Sequence, residues 1–235
     1  MPEVDEIPAR LSEHLRTWLG DWPPRPQGIT VVGHALRTQP GWDGLLHEVI
    51  GVASTNAALL SVPPDVAPEV ARLVRGKVLE EDLHLLRQGI AKAFEREGRI
   101  GRGRFRWTVQ PTATPDVGEW VCAHDPRVPE WLKPFNDEVL IAWADDATYG
   151  AGVGRKKHDD SGHEISVGTE ESMRGRGIGR RLVATAARQI LSDGAVPTYL
   201  HAFDNFASDK VATASGFADV GWTMLGFWPL EPDSA

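Results

Sequence analysis

Residues 169–182 read Thr169-Glu170-Glu171-Ser172-Met173-Arg174-Gly175-Arg176-Gly177-Ile178-Gly179-Arg180-Arg181-Leu182. The stretch joins a predicted strand, His163 to Thr169, to a predicted amphipathic helix from Gly179 to Asp193. In the helix, apolar residues fall at Leu182, Val183, Ala186, Ala187, Ile190 and Leu191, Arg180, Arg181, Arg188 and Gln189 share the other face, and Gly194 stands where a C-cap belongs. Strand, glycine loop and helix outline an anion site. The first turn of a helix exposes unpaired N–H groups at the positive end of its dipole, and glycines let a phosphate approach the backbone without meeting a Cβ. Arg174, Arg176 and Arg180 add charge. The alternative is a tight turn with solvated arginines.

Spacing separates the phosphate loops. A P-loop needs Gly-Lys-Ser/Thr after its first glycines, and none follows here. A dinucleotide fingerprint needs G-x-G-x-x-G, whereas Gly175, Gly177 and Gly179 make G-x-G-x-G. The preceding strands, Glu138 to Trp143, Thr148 to Lys157 and His163 to Thr169, are divided by Asp145-Asp146 and Asp159-Asp160-Ser161-Gly162. Such acidic turns predict antiparallel hairpins rather than a doubly wound parallel sheet. Beyond the loop, Pro197 to Ala202 reads as a strand and Phe206 to Ala214 as a short helix.

The remaining pattern, Arg174-x-x-Gly177-x-Gly179, resembles the pyrophosphate loop of the GNAT superfamily of acyl-CoA-dependent N-acyltransferases. The element order around it is similar too, through Asn205 and Gly216-Phe217, and the resemblance covers about residues 136–228. Gly168-Thr169, Pro197 and Asn205-x-x-Ser208 are most similar to the glycine N-acyltransferase-like branch. The resemblance implies that backbone N–H groups of Arg174, Gly175, Arg176, Gly177, Ile178, Gly179 and Arg180 cradle the pyrophosphate of acetyl-CoA, the cosubstrate. It implies that Val167 and Thr169, on a strand splayed from 197–202, pair with the pantetheine amides. Asn205 then bonds the pantetheine or holds the strand end, and Ser208 reaches a phosphate; the alternative for Asn205 is an N-cap on 206–214.

Direct transfer to an amine requires a base, a polarised thioester and a proton for the leaving thiolate. Glu164 is the first choice of base and His163 the second, directly or through water. Alternation places Glu164 with Ser166 on one strand face and His163, Ile165 and Val167 on the other. The alternative for Glu164 is a strand residue paired with Lys156 or Lys157. Many relatives carry a tyrosine seven residues after the Asn, and here that position is Ala212. Water, Ser208 or an N-terminal residue is then left to protonate the thiolate, or the domain binds acyl-CoA without chemistry. A lone Cys122 reads as a small buried residue.

The N-terminal half is less explicit. A helix is expected at 10–19, short strands at Ile29–Val32, Val49–Val52 and Ala57–Val62, and one or two helices over 65–97. Arg96, Arg99, Arg102, Arg104 and Arg106 read as a solvated Gly/Arg loop before a strand at Phe105–Val109, with contact to nucleic acid or to the cofactor's adenosine 3′-phosphate the alternative. The nine Trp are expected in the core, with the lining of an apolar or aromatic acceptor pocket the alternative.

The 235 residues carry 33 Asp plus Glu against 25 Lys plus Arg, a net charge of −8 that disfavours a general nucleic-acid binder. One Cys excludes an intrachain disulfide, and no apolar run reaches membrane-span length. Neither a signal segment nor a metal site is expected, and the reading is a cytoplasmic protein. The expectation is an α+β protein of GNAT fold, with a mixed central sheet flanked by helices. Residues 1–115 form an N-terminal α/β region, either an acceptor-side cover or a diverged GNAT-like unit, and 116–235 the acetyltransferase domain. Expected partners are acetyl-CoA and a primary amine, with acidic loops attracting cationic acceptors and homodimerisation left open. The competing reading is a non-catalytic acyl-CoA-binding or regulatory module.

Overall fold

The computed structural model describes residues 7–54, 57–77, 88–95, 98–135, 138–145 and 148–229. The chain divides into two compact units, Met1–Phe105 with Gly221–Ala235 and Arg106–Val220. The units part ahead of the boundary drawn at 115/116, and the C-terminal strand returns to the first unit. That strand has its pairing partners in residues 50–53 and 98–104, a long-range choice that local sequence does not display.

In the first unit, helix α1 (Ala9–Leu19) buries Leu11, Leu15, Trp18 and Leu19 and ends at Gly20, whose φ of 90° suits a left-handed cap. Strands β1 (Gly28–Gly33), β2 (Ile50–Ala53) and β3 (Ala57–Val62) follow, then helix α2 (Ala67–Leu73) and a helical turn at 88–93. Strand β1 runs parallel to β3, and β2 is antiparallel to β3. Leu60 and Val62 pack with Val70, Val74, Ile90, Leu225 and Phe227 in one apolar cluster. The helical run expected over 65–97 is seen at its two ends, whereas 78–87 and 96–97 lie outside the described residues.

The Gly/Arg segment is a strand, not a loop: β4 (Gly98–Trp107) pairs antiparallel with the last strand, Thr223–Pro229. A glycine-rich run has little strand propensity of its own, so cross-strand pairing decides it. Arg96 lies outside the described residues, and Arg106 is 1% exposed rather than solvated.

The second unit holds β5 (Glu119–Cys122), β6 (Glu138–Trp143), β7 (Tyr149–Asp159), β8 (Gly162–Thr169), helix α3 (Ile178–Ser192), β9 (Val196–His201) and helix α4 (Phe206–Ala214); the closing strand, Thr223–Pro229, is β10 of the first unit. Strands β5 to β8 form an antiparallel meander and β9 joins β8 in parallel. The sheet is therefore mixed and flanked by helices, the α+β class expected from the sequence. Leu182, Val183, Ala186, Ala187 and Ile190 of α3 pack with Leu140, Ala151, Val153, Ile165, Tyr199, Ala212 and Phe217. Burying these side chains is the main stabilising contribution, about 25 cal/mol per Å² of apolar surface.

The other sheet face explains the glycines of β7. A Cβ on Gly152 would lie 2.7 Å from Leu132, one on Gly154 would lie 2.6 Å from the Phe135 ring, and one on Gly168 of β8 would lie 2.7 Å from Trp131. Residues 131–135 therefore lie directly on the strands. Trp131 meets Phe135 edge-on and stays 39% exposed, so it departs from the core role expected of the tryptophans. Cys122, expected to be buried, is exposed at the end of β5.

Candidate functional site

Strands β8 and β9 stay in register only from Gly162↔Val196 to Ile165↔Tyr199. Beyond Ile165, β8 keeps its partner β7, with Val153↔Val167, Gly152↔Gly168 and Ala151↔Thr169, while its other edge has no β9 residue in register. Opening a parallel pair exposes backbone donors and acceptors that an extended amide-containing ligand can satisfy. Val167, Gly168 and Thr169 line a cavity of about 890 Å³ at this opening. That volume suits a nucleotide-sized ligand.

The loop after β8 forms the other wall. Met173 through Arg180 line the cavity, and Gly175 and Gly177 take φ of 75° and 72°, the left-handed region that glycine enters without steric penalty. Gly177 is the N-cap of α3, and no side chain caps that end. The first N–H groups of α3 therefore face the cavity with the positive end of the helix dipole behind them. A Cβ on Gly179 would lie 3.3 Å from Thr169 Oγ1, so its absence lets the helix start close to β8. Arg174 donates from Nε to the Thr169 carbonyl at 3.2 Å, which ties the loop to the strand end. Exposed Arg176 and Arg180 add charge at the same wall, and Lys210 lines the cavity from α4.

The structure brings together all eleven residues expected at the cofactor: Val167, Thr169, Arg174 to Arg180, Asn205 and Ser208 line one cavity. Asn205 also caps α4, its Oδ1 accepting from the Ser208 N–H at 3.0 Å. The Ser208 hydroxyl lies 2.8 Å from the Tyr199 hydroxyl.

Glu164 and His163 are not among the lining residues. Glu164 is 3% exposed, sits opposite Lys156 in register, accepts from its ammonium, and lies 3.4 Å from His158 Nε2. Burial would raise its carboxyl pKa, but Lys156 and His158 together outweigh burial and bring it down to about 2. A carboxylate held that low is a weak base, and the pairing with Lys156 is the arrangement given as the alternative for Glu164, a strand residue bound to a lysine. His163 falls to about 4 because it is buried, with Arg155 and Lys157 adding to the effect. It stays neutral at neutral pH on the face packed beneath α3, and its Nδ1 has no hydrogen-bond partner among the described residues.

Sequence reasoning missed the strut formed by Arg106. Its guanidinium donates to Asp209, to Thr213 Oγ1 at 2.9 Å and to the Phe217 carbonyl at 3.1 Å, binding α4 and the following turn to the end of β4. Its place in an arginine-rich run pointed to solvent, and only the fold shows the buried receptor.

The family model described as the Acetyltransferase (GNAT) family matches residues 104–217, the stretch that builds this cavity. The matched stretch is just under half of the chain. Similar solved structures include a GNAT-family protein from Novosphingobium aromaticivorans (17% identity, 57% of this chain and 66% of that one, TM-score 0.48). An acetyltransferase of the GNAT family from Colwellia psychrerythraea is 12% identical over 60% of this chain and 61% of that one, with a TM-score of 0.44. A GCN5-related N-acetyltransferase-like protein from Streptococcus suis is 13% identical over 94% and 99%, with a TM-score of 0.45. At these scores the likenesses carry nothing about activity, and the chain spans less than two thirds of the first two structures. No curated protein matches the chain significantly. Among the described residues no helix is long and apolar enough to cross a membrane, and no cluster of metal-ligating side chains occurs.

Proposed function

We propose that the chain is an N-acetyltransferase that moves an acetyl group from acetyl-CoA to a primary amine by direct attack. The observation that carries this is a cavity bounded by the parted β8 edge on one side and by the uncapped, glycine-flanked N-terminus of α3 on the other. Its chemistry fits a cosubstrate with a polyanionic end and an extended amide arm. The arginine loop and the α3 N–H groups take the pyrophosphate, and the Val167 to Thr169 edge takes the pantetheine amides. Acetyl-CoA when bound supplies an acyl group activated as a thioester. Gly168-Thr169, Pro197 at the start of β9 and Asn205-x-x-Ser208 support a place in the glycine N-acyltransferase-like branch.

For the base, the charge cluster at Glu164 supports the water-relayed form of the mechanism, in which an amine that arrives unprotonated gives its proton to solvent. Ala212, buried where many relatives have a tyrosine, favours a second reading, an acyl-CoA-binding module without turnover. A cytoplasmic location accords with the single thiol.

Calorimetric titration with acetyl-CoA, with the Gly177→Glu/Gly179→Glu variant as control and thiol release measured over an amine panel, tests the proposal. Micromolar binding that the variant loses, with amine-dependent thiol release, is the expected result. Binding without release over every amine selects the second reading. Folded wild-type protein that does not bind acetyl-CoA overturns both.

A further inference from the structure

Tyr199 is 1% exposed, and its hydroxyl meets one partner among the described residues, Ser208 Oγ at 2.8 Å. Ser208 is half-buried and lines the cavity. Each hydroxyl has one hydrogen to place. If Ser208 donated to Tyr199, the phenol's hydrogen would be left in the core without an acceptor, at a cost of about 1–3 kcal/mol. If Tyr199 donates, the Ser208 hydrogen is directed at the cavity, where solvent or ligand can accept it. The second arrangement satisfies both groups.

The position of the pair along the cavity follows from register. Tyr199 pairs with Ile165, the last match before β8 and β9 part. A donor whose phosphates sit at the 174–180 loop and whose arm runs back along Thr169 and Val167 points its acyl end toward that parting point. The inference therefore rests on the acyl-CoA reading.

We propose that Ser208 is the catalytic hydrogen-bond donor to the leaving sulfur and that Tyr199 is the residue that positions it. Attack by the amine forms the N–C bond, and collapse breaks the C–S bond with its electron pair going to sulfur. The Ser208 O–H meets the charge that develops there. The proton released by the amine passes through water to the thiolate, so the products are the amide and the free thiol. This arrangement places Ser208 at the thioester end instead of at a phosphate, and it takes up the task left open at Ala212 with a strand tyrosine acting through a helix serine.

The test compares wild type, Ser208→Ala, Ser208→Thr, Tyr199→Phe and the Ser208→Ala/Tyr199→Phe double variant. Acetyl-CoA affinity by calorimetry, steady-state kcat and KM, and thermal unfolding are measured for each. Ser208→Ala and Tyr199→Phe should each lower kcat by about tenfold to a hundredfold, in line with loss of one charge-stabilising donor. Acetyl-CoA affinity should stay within about twofold and Ser208→Thr should retain most of the rate. Because Tyr199 acts through Ser208, Tyr199→Phe should cost nothing further in the Ser208→Ala background. Wild-type kcat in either folded single variant overturns the inference, as does a Tyr199→Phe loss that persists in the Ser208→Ala background. Those outcomes leave the acetyltransferase reading standing, whereas wild-type protein that shows no turnover of acetyl-CoA over the amine panel, whether or not it binds the thioester, overturns both.

Discussion

Replacing Glu164 by Gln tests the charge cluster on β7 and β8. The carboxylate is 3% exposed and its pKa is brought down from the ordinary 4.5 to about 2, because Lys156 and His158 outweigh its burial. A group whose pKa is depressed on folding contributes stability that is present above the unfolded pKa and lost as pH falls toward the folded one. The window here runs from about pH 5 down to about pH 2. At 1.36 kcal/mol per unit, the shift corresponds to about 3 kcal/mol at neutral pH, of which about 2 kcal/mol is gone by about pH 3. Other carboxylates titrate in the same range, Asp125 among them, so the informative quantity is the difference between wild type and Glu164→Gln. Urea unfolding of the full chain at about half-unit pH steps should show that difference level above about pH 5.5 and shrinking by about 2 kcal/mol toward pH 3. Parallel stability curves across the whole range would refute the assignment of a buried, ion-paired carboxylate.

Substitutions at three further positions probe the framework of the site. Gly154→Val places a Cβ 2.6 Å from the Phe135 ring and should cost about 1–3 kcal/mol by overpacking, read as a lower melting temperature. Asn205→Ala removes the acceptor for the Ser208 N–H and should cost about 1 kcal/mol in urea unfolding, whereas Asn205→Asp should cost far less. Arg106→Met leaves the Phe217 carbonyl and Asp209 without their donor. Its cost should be about 2 kcal/mol, below the figure for a wholly buried pair because Asp209 is 40% exposed; a wild-type melting temperature would count against the strut.

The elements that were legible are those whose signal is local. The 3.6-residue period of 178–192 and the acidic turn at 159–162 need no distant partner to be read, and the observed helix and hairpin fall within a residue or so of the expectation. Strands β5 and β10 and the Gly98–Arg104 part of β4 were not legible, since that part is glycine-rich and has its identity set by pairing with β10 across more than half of the chain; only the end of β4, Phe105–Trp107, falls within the strand expected at 105–109. Among the site residues, the glycine loop stood out because backbone conformation restricts those positions to glycine. Glu164 did not reveal its state, because two lysines of β7 were equally good partners until register chose Lys156.

The amino-acid sequence alone determined the arginine- and glycine-rich end of the cavity: Arg174-x-x-Gly177-x-Gly179 at the head of an amphipathic helix specifies open N–H groups and positive charge by local geometry. The tertiary structure decided everything that depends on distance across the chain. It buried Arg106 against α4, laid residues 131–135 on three side-chain-free strand positions, and set the Tyr199 hydroxyl against Ser208 where β8 and β9 part. The reason is that helix starts and turns are short-range preferences of a few residues, whereas a buried donor finds its acceptor only when strands and helices far apart in sequence pack together.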